Sequence, residues 1–286
     1  LGIIKTIWIL NVKPALIGVS ILNKFPVLVH FIGALQTGAL IWNNMCAADL
    51  EKVIILPCID TFKKAIFTNR LIAYNETFAT AGISQNKLLP FAALWHEGIR
   101  GRGKEELRST FTQFIMFHRD SDKFIIWLDN CAAHNKNWAF LSFLVYIVNS
   151  FQVSAKSIEV NYFESGSILF MSYDSFHHQV ELSLKHQGNS YDFVTPIQSS
   201  NKGKVISKVM NILDFYLFHD LSSVSKRNSK CSNHEKVFLS KIVHIRATRG
   251  DYNLQYKTDY ESNEYFELNF LKLVVQIEFL SEKFVI

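Results

Sequence analysis

The chain has 286 residues, 49% of them apolar and 19% charged, and a formal net charge of +5. That balance excludes a disordered or low-complexity protein and implies a real hydrophobic core in one large or two small domains. Four cysteines, Cys46, Cys58, Cys131 and Cys231, lie too far apart for a metal finger or a disulfide-stapled scaffold, which points to a reducing compartment and no cysteine-built zinc site.

Two apolar runs open the chain, 1–22 and 25–42, interrupted by Lys5, Lys13, Pro14, Lys24 and Pro26. Neither has the layout of a signal peptide, and the second is borderline in length for a membrane span. A divergent or truncated segment over 1–45 is the favoured reading, with a membrane anchor as the lesser one. From Asp49 the texture changes. A β-branched run at 50–57 ended by Pro57, then 65–74 and 88–95, are three successive strand candidates with short links, an antiparallel meander. A glycine-rich basic turn follows at 96–103, and its spacing matches neither common nucleotide loop. Leu107, Phe111, Phe114 and Ile115 fall at helical spacing and predict a helix over 104–118. The pattern then predicts a strand at 124–128, a helix at 137–148, a strand at 157–163 and a helix at 175–185. After His186 comes a looser α+β tail: a helix near 205–218, a polar loop at 222–233, and strands near 236–246, 254–256 and 268–279.

Asp129 ends the apolar run 124–128 and is followed by a short Asn/His/Lys loop and an apolar helix. Many α/β enzymes place a metal-binding carboxylate in this way, although Asp and Asn before a helix also serve simply as caps. The order of three strands, helix, strand, helix, strand, helix is that of the RNase H-like fold. The expectation is therefore an α/β protein with a mixed five-stranded sheet flanked by helices over 46–190, and a basic α+β extension over 191–286. Two-metal chemistry in that fold needs acids on the first strand, the fourth strand and a later helix, and those places hold Asp49, Asp129 and Asp174. Taken singly, Asp49 reads as a surface strand residue and Asp174 as a helix cap; only their joint placement raises the metal reading. Two Mg2+ or Mn2+ ions about 4 Å apart require hard oxygen ligands of this kind. Glu97 and Glu181 are reserve ligands, and His177 and His178 stand beside Asp174, where they could orient a phosphate or a ligand carboxylate. Residues 199–249 hold ten Lys/Arg against Asp214, Asp220 and Glu235, a local charge of +7 that suits a polyanion or makes a solvated basic face.

The stretches 48–57 (ADLEKVIILP), 94–102 (LWHEGIRGR), 129–131 (DNC) with 135–138 (NKNW), and 170–178 (FMSYDSFHH) together resemble a transposase-derived, RNase H-like family of DDE-type integrase/transposase-like eukaryotic proteins. The resemblance runs from about Asp49 to Asp192. It implies a catalytic core in which Asp49, Asp129 and Asp174 hold two Mg2+ or Mn2+ ions, cleavage and strand transfer of DNA, nuclear residence, self-association, and neither a small-molecule substrate nor a membrane partner. Lys136, Arg100 and Arg102 would hold backbone phosphates or be solvated loop charges. Where the family carries Gln before Asn-Lys-Asn this chain has His134, and Gly166-Ser167-Ile168 replaces Gly-His-Thr. Those two departures keep open a non-catalytic nucleic-acid or protein interaction module that retains the fold.

Overall fold

Small and β-branched residues in the middle of the chain form one mixed sheet. The computed structural model describes residues 45–51, 53–58, 69–80, 89–132, 134–163, 172–187, 190–218 and 236–272. Among them, ten strands form that sheet: β1 (Met45–Leu50), β2 (Ile54–Leu56), β3 (Leu71–Thr80), β4 (Phe91–His96), β5 (Lys123–Leu128), β6 (Ser157–Tyr162), β7 (Ile206–Val209), β8 (His244–Thr248), β9 (Leu254–Lys257) and β10 (Phe266–Leu268). Their spatial order is β10-β9-β8-β6-β5-β1-β3-β4-β7, with β2 paired to β3. β1, β5 and β6 run parallel, β3 is antiparallel to β1 and to β4, and β7 runs parallel to β4 at the edge. β8 turns antiparallel to β6, and β9 and β10 continue that way.

Among the described residues four α-helices flank the sheet: α1 (Lys104–Phe117), α2 (Trp138–Asn149), α3 (Ser172–Gln187) and α4 (Val194–Ser199). α1 and α2 supply Leu107, Phe111, Phe114, Phe140 and Leu144 to a core built on Cys46, Ala48, Phe78, Phe91 and Ile126. Phe78 is its hub, stacked on Phe114 at 4.3 Å and edge-on to Phe111 at 5.0 Å. A second cluster joins Phe176, Val180 and Leu184 of α3 and Ile197 of α4 to Ile54, Leu56, Ala73, Ala92 and Leu94. Alternation along each strand feeds the two clusters, so that Ala48 serves the first while its neighbours face away from it.

The mixed α/β class follows the expectation, and the sheet is wider than five strands. Residues beyond 190 extend it at both edges, which pairs backbone groups that would otherwise lie open. Several elements differ from the sequence reading, among them the expected strand near 236–246, which is a 3-10 turn over Leu239–Lys241 followed by a strand confined to His244–Thr248. The first strand is Met45–Leu50, upstream of the 50–57 run, which contributes only the three residues of β2. β3 extends to Thr80, well past 74. The expected helix at 205–218 is instead β7 followed by a 3-10 turn over Ile212–Asp214. The edge of β4 offers ladder hydrogen bonds to Ile206–Val209, and Ile212, Leu213 and Leu217 stay exposed, so no apolar helical face is buried there. The runs at 1–22 and 25–42, the loop at 222–233 and the residues from 273 lie outside the described residues. No helix among the described residues is long and apolar enough to cross a membrane.

Candidate functional site

The parallel pairing of β1 with β5 sets Ala48 beside Leu128, so the next residues, Asp49 and Asp129, come side by side at the carboxyl ends of adjacent strands. Asp49 also lies opposite Thr77 of β3. α3 packs across β1 and β3, and Asp174 is its third residue. The side chain of Asp174 lies outside what is described. Among the described residues, no group of three or more His, Cys, Asp or Glu side chains is disposed to hold a metal ion.

The loop after β5 is fixed residue by residue. Asn135 donates from Nδ2 to Asp129 Oδ1 at 2.6 Å, and the Tyr162 hydroxyl donates to the Asn135 carbonyl at 2.9 Å. Lys136 Nζ donates to Asn130 Oδ1 at 2.7 Å and to the Ser240 carbonyl at 3.2 Å, and sits 4.7 Å from the centre of the Tyr162 ring. Asn137 caps α2, its Oδ1 accepting from the Phe140 amide at 3.0 Å. Burial pulls the Lys136 ammonium down to about 8. Burial, and then the charge of Asp129, pushes the Tyr162 hydroxyl well up. His134 is held below its ordinary value by burial and by Arg102, with Asp129 acting the other way.

A further carboxyl group, not singled out in the sequence, lies within electrostatic reach of the pair. Glu76 of β3 is 2% exposed, opposite Leu50 and Ala93 in register. Its Oε2 has no hydrogen-bond partner among the described residues. Burial, then Asp49, then Asp129 hold this carboxyl well above the usual carboxylate range, while Arg102 opposes them. Beside it, Asn75 donates to Glu51 Oε2 at 2.8 Å and accepts from the Thr77 hydroxyl at 3.2 Å. The signal was the polar triplet Asn75-Glu76-Thr77 with apolar Phe78 and Ala79 resuming after it, which reads as a turn unless both faces of the strand are covered.

The reserve residues fall elsewhere. Glu97 Oε1 accepts from the Ile72 amide at 2.9 Å and so closes the end of the β3–β4 pair. His177 is pushed down to about 4 by burial, with Glu181 opposing, while His178 is exposed. The turn after β4 folds back, the Trp95 indole donating to the Gly101 carbonyl at 2.9 Å, which leaves Arg102 exposed near Glu76 and His134. Lys136, expected on the surface, is 4% exposed and serves as an internal tether. The basic segment is also partly internal. Lys208 pairs with Asp214 at 2.8 Å, Arg246 with Glu159 at 2.7 Å, and Arg249 donates to the carbonyls of Ser150, Val153 and Ala155. Lys202, Lys204, Lys236 and Lys241 remain exposed, and Lys226, Arg227 and Lys230 lie outside the described residues.

Comparison with protein-family models, with curated proteins and with solved structures finds no match to this chain.

Proposed function

We propose that the chain is a DDE-type protein of RNase H-like fold, derived from a transposase, whose reaction is metal-dependent cleavage and strand transfer of DNA. The observation that carries this reading is the register of β1 and β5, which brings Asp49 and Asp129 together at two parallel strand ends. The sheet order β4-β3-β1-β5-β6, with β3 reversed and β1, β5 and β6 parallel, supports the same fold, as does a helix bearing Asp174 packed across β1 and β3.

In this reading Asp49, Asp129 and Asp174 would hold two divalent ions, whose chemistry would be activation of a water or 3′-hydroxyl and stabilisation of the leaving oxygen. The donor chemistry fits hard cations, since all three are carboxylates. Asn135 fixes the Asp129 carboxylate through Oδ1, and Oδ2 takes no hydrogen bond among the described residues. Tyr162 holds Asn135 in turn, so the acid is presented in one orientation. Exposed Arg102 is suited to a backbone phosphate approaching this end of the sheet. The test is nicking and strand transfer on supercoiled plasmid in Mn2+. Asp129→Asn should lower both by about a hundred-fold or more, and equal activity of the two proteins refutes the assignment. Salt-sensitive DNA binding that is the same in both, with no metal-dependent cleavage, marks the non-catalytic module instead.

A further inference from the structure

The segment that enters β8 carries an arrangement that the carboxylates do not account for. Val237 and Ile242 are buried in the main core and pin a short 3-10 turn over Leu239–Lys241. Between these anchors Phe238 points outward and is 52% exposed. Two ammonium groups flank its ring, Lys236 Nζ at 5.4 Å and Lys241 Nζ at 5.7 Å from the centre. No carboxylate pairs with either lysine among the described residues. The place of this turn is fixed by two hydrogen bonds. The Tyr162 amide donates to the Val243 carbonyl at 2.9 Å, which sets the turn at the carboxyl end of β6. Lys136 Nζ donates to the Ser240 carbonyl, which ties it to the loop that holds Asp129.

We propose that the 236–241 turn is a binding site for an unpaired DNA strand: the Phe238 ring stacks on one base, and Lys236 and Lys241 hold the phosphates on either side. An exposed aromatic ring between two unpaired cations is the combination that single-strand sites use, because every base has a π-face and every nucleotide a charge. The attraction between ammonium and ring is weak at an exposed site, and the flexible lysine stems can swing onto phosphates as the base comes in. That the strand runs on to Asp49 and Asp129 rests on the function proposed above; the binding itself does not.

The experiment is fluorescence anisotropy of a short labelled oligothymidylate on the full chain in EDTA, so that no metal chemistry enters. Phe238→Ala should weaken binding about five-fold or more while Phe238→Trp keeps it, and a duplex of equal length should bind both variants like the wild type. Lys236→Ala with Lys241→Ala should lower the salt dependence, by roughly 0.7 in the log–log slope for each phosphate that is no longer neutralised. Unchanged affinity of Phe238→Ala for the single strand overturns the proposal. So does an equal loss on duplex and single strand. If Asp129→Asn abolishes cleavage while Phe238→Ala binds normally, this site falls and the catalytic reading stands. If no cleavage is found but Phe238→Ala loses the single strand, the reverse holds.

Discussion

Replacing Lys136 with methionine should flatten the rise of stability with pH above neutrality. The ammonium is 4% exposed, makes no ion pair among the described residues, and is solvated only by Asn130 Oδ1, the Ser240 carbonyl and the face of Tyr162. Burial brings it down to about 8, against about 10.4 for a lysine in water. Between those two values the unfolded chain keeps a proton that the folded chain has released. Stability therefore rises with pH across that window and levels off above it, and below about 8 the folded protein carries the full cost of burying the charge. A displacement of that size corresponds to roughly 3 kcal/mol. Relaxation and water entry on charging reduce it, so a net effect of about 1–3 kcal/mol is expected. Methionine fills a similar volume without a proton, and Asn130 and Ser240 are exposed enough for water to replace the missing donor. Lys136→Met should thus be as stable as the wild type or more so near neutral pH, and the wild type should gain on it as the pH approaches 10. Urea unfolding of both proteins at several pH values measures this directly, because other titrating groups cancel in the difference. A difference that does not change with pH would refute the argument from burial.

Glu76→Gln acts in the opposite window. Because the folded carboxyl is held above its unfolded value, its contribution is fully present in acid and lost as the pH rises. The variant should therefore gain on the wild type as the pH rises from mildly acid to neutral; parallel curves in urea melts would show that Glu76 is not held protonated by burial and by Asp49 and Asp129. Asn135→Ala frees the Asp129 carboxylate. It should lower Mn2+-dependent nicking by about ten- to a hundred-fold and raise the Mn2+ requirement, with DNA binding in EDTA unchanged; an unaltered Mn2+ profile counts against a positioning role.

What the sequence made legible depended on how strongly each residue's own chemistry dictates its place. α1 and α2 fall almost where helical spacing puts them, since Phe111, Phe114, Leu141 and Leu144 can all be buried only on a helix. Asp129 at a strand end was legible for the same reason, because the run before it is wholly apolar. β1 was harder. Met45, Cys46, Ala47 and Ala48 have little strand preference of their own, and they are extended because β3 and β5 pair with them on both sides. Lys136 was misread, and Glu76 passed over, for a related reason: charge is a surface signal in a sequence, and only the tertiary fold covers these two groups. The 205–218 segment erred in the other direction, its scattered apolar residues resembling a helix while an open strand edge captured the first of them.

In the proposed reading His134 stands where the family carries glutamine. The three residues after it perform the work that shapes the loop: Asn135 orients Asp129, Lys136 ties Asn130 to the Ser240 carbonyl, and Asn137 begins α2. None of these bonds uses the side chain at 134. The imidazole is half-buried between the charges of Arg102 and Asp129 and held toward its neutral form. A neutral polar ring there keeps the charge that glutamine would give and leaves the frame around Asp129 intact. The substitution therefore bears on what approaches Asp129 from the side of Arg102, and not on whether the carboxylate is held in place.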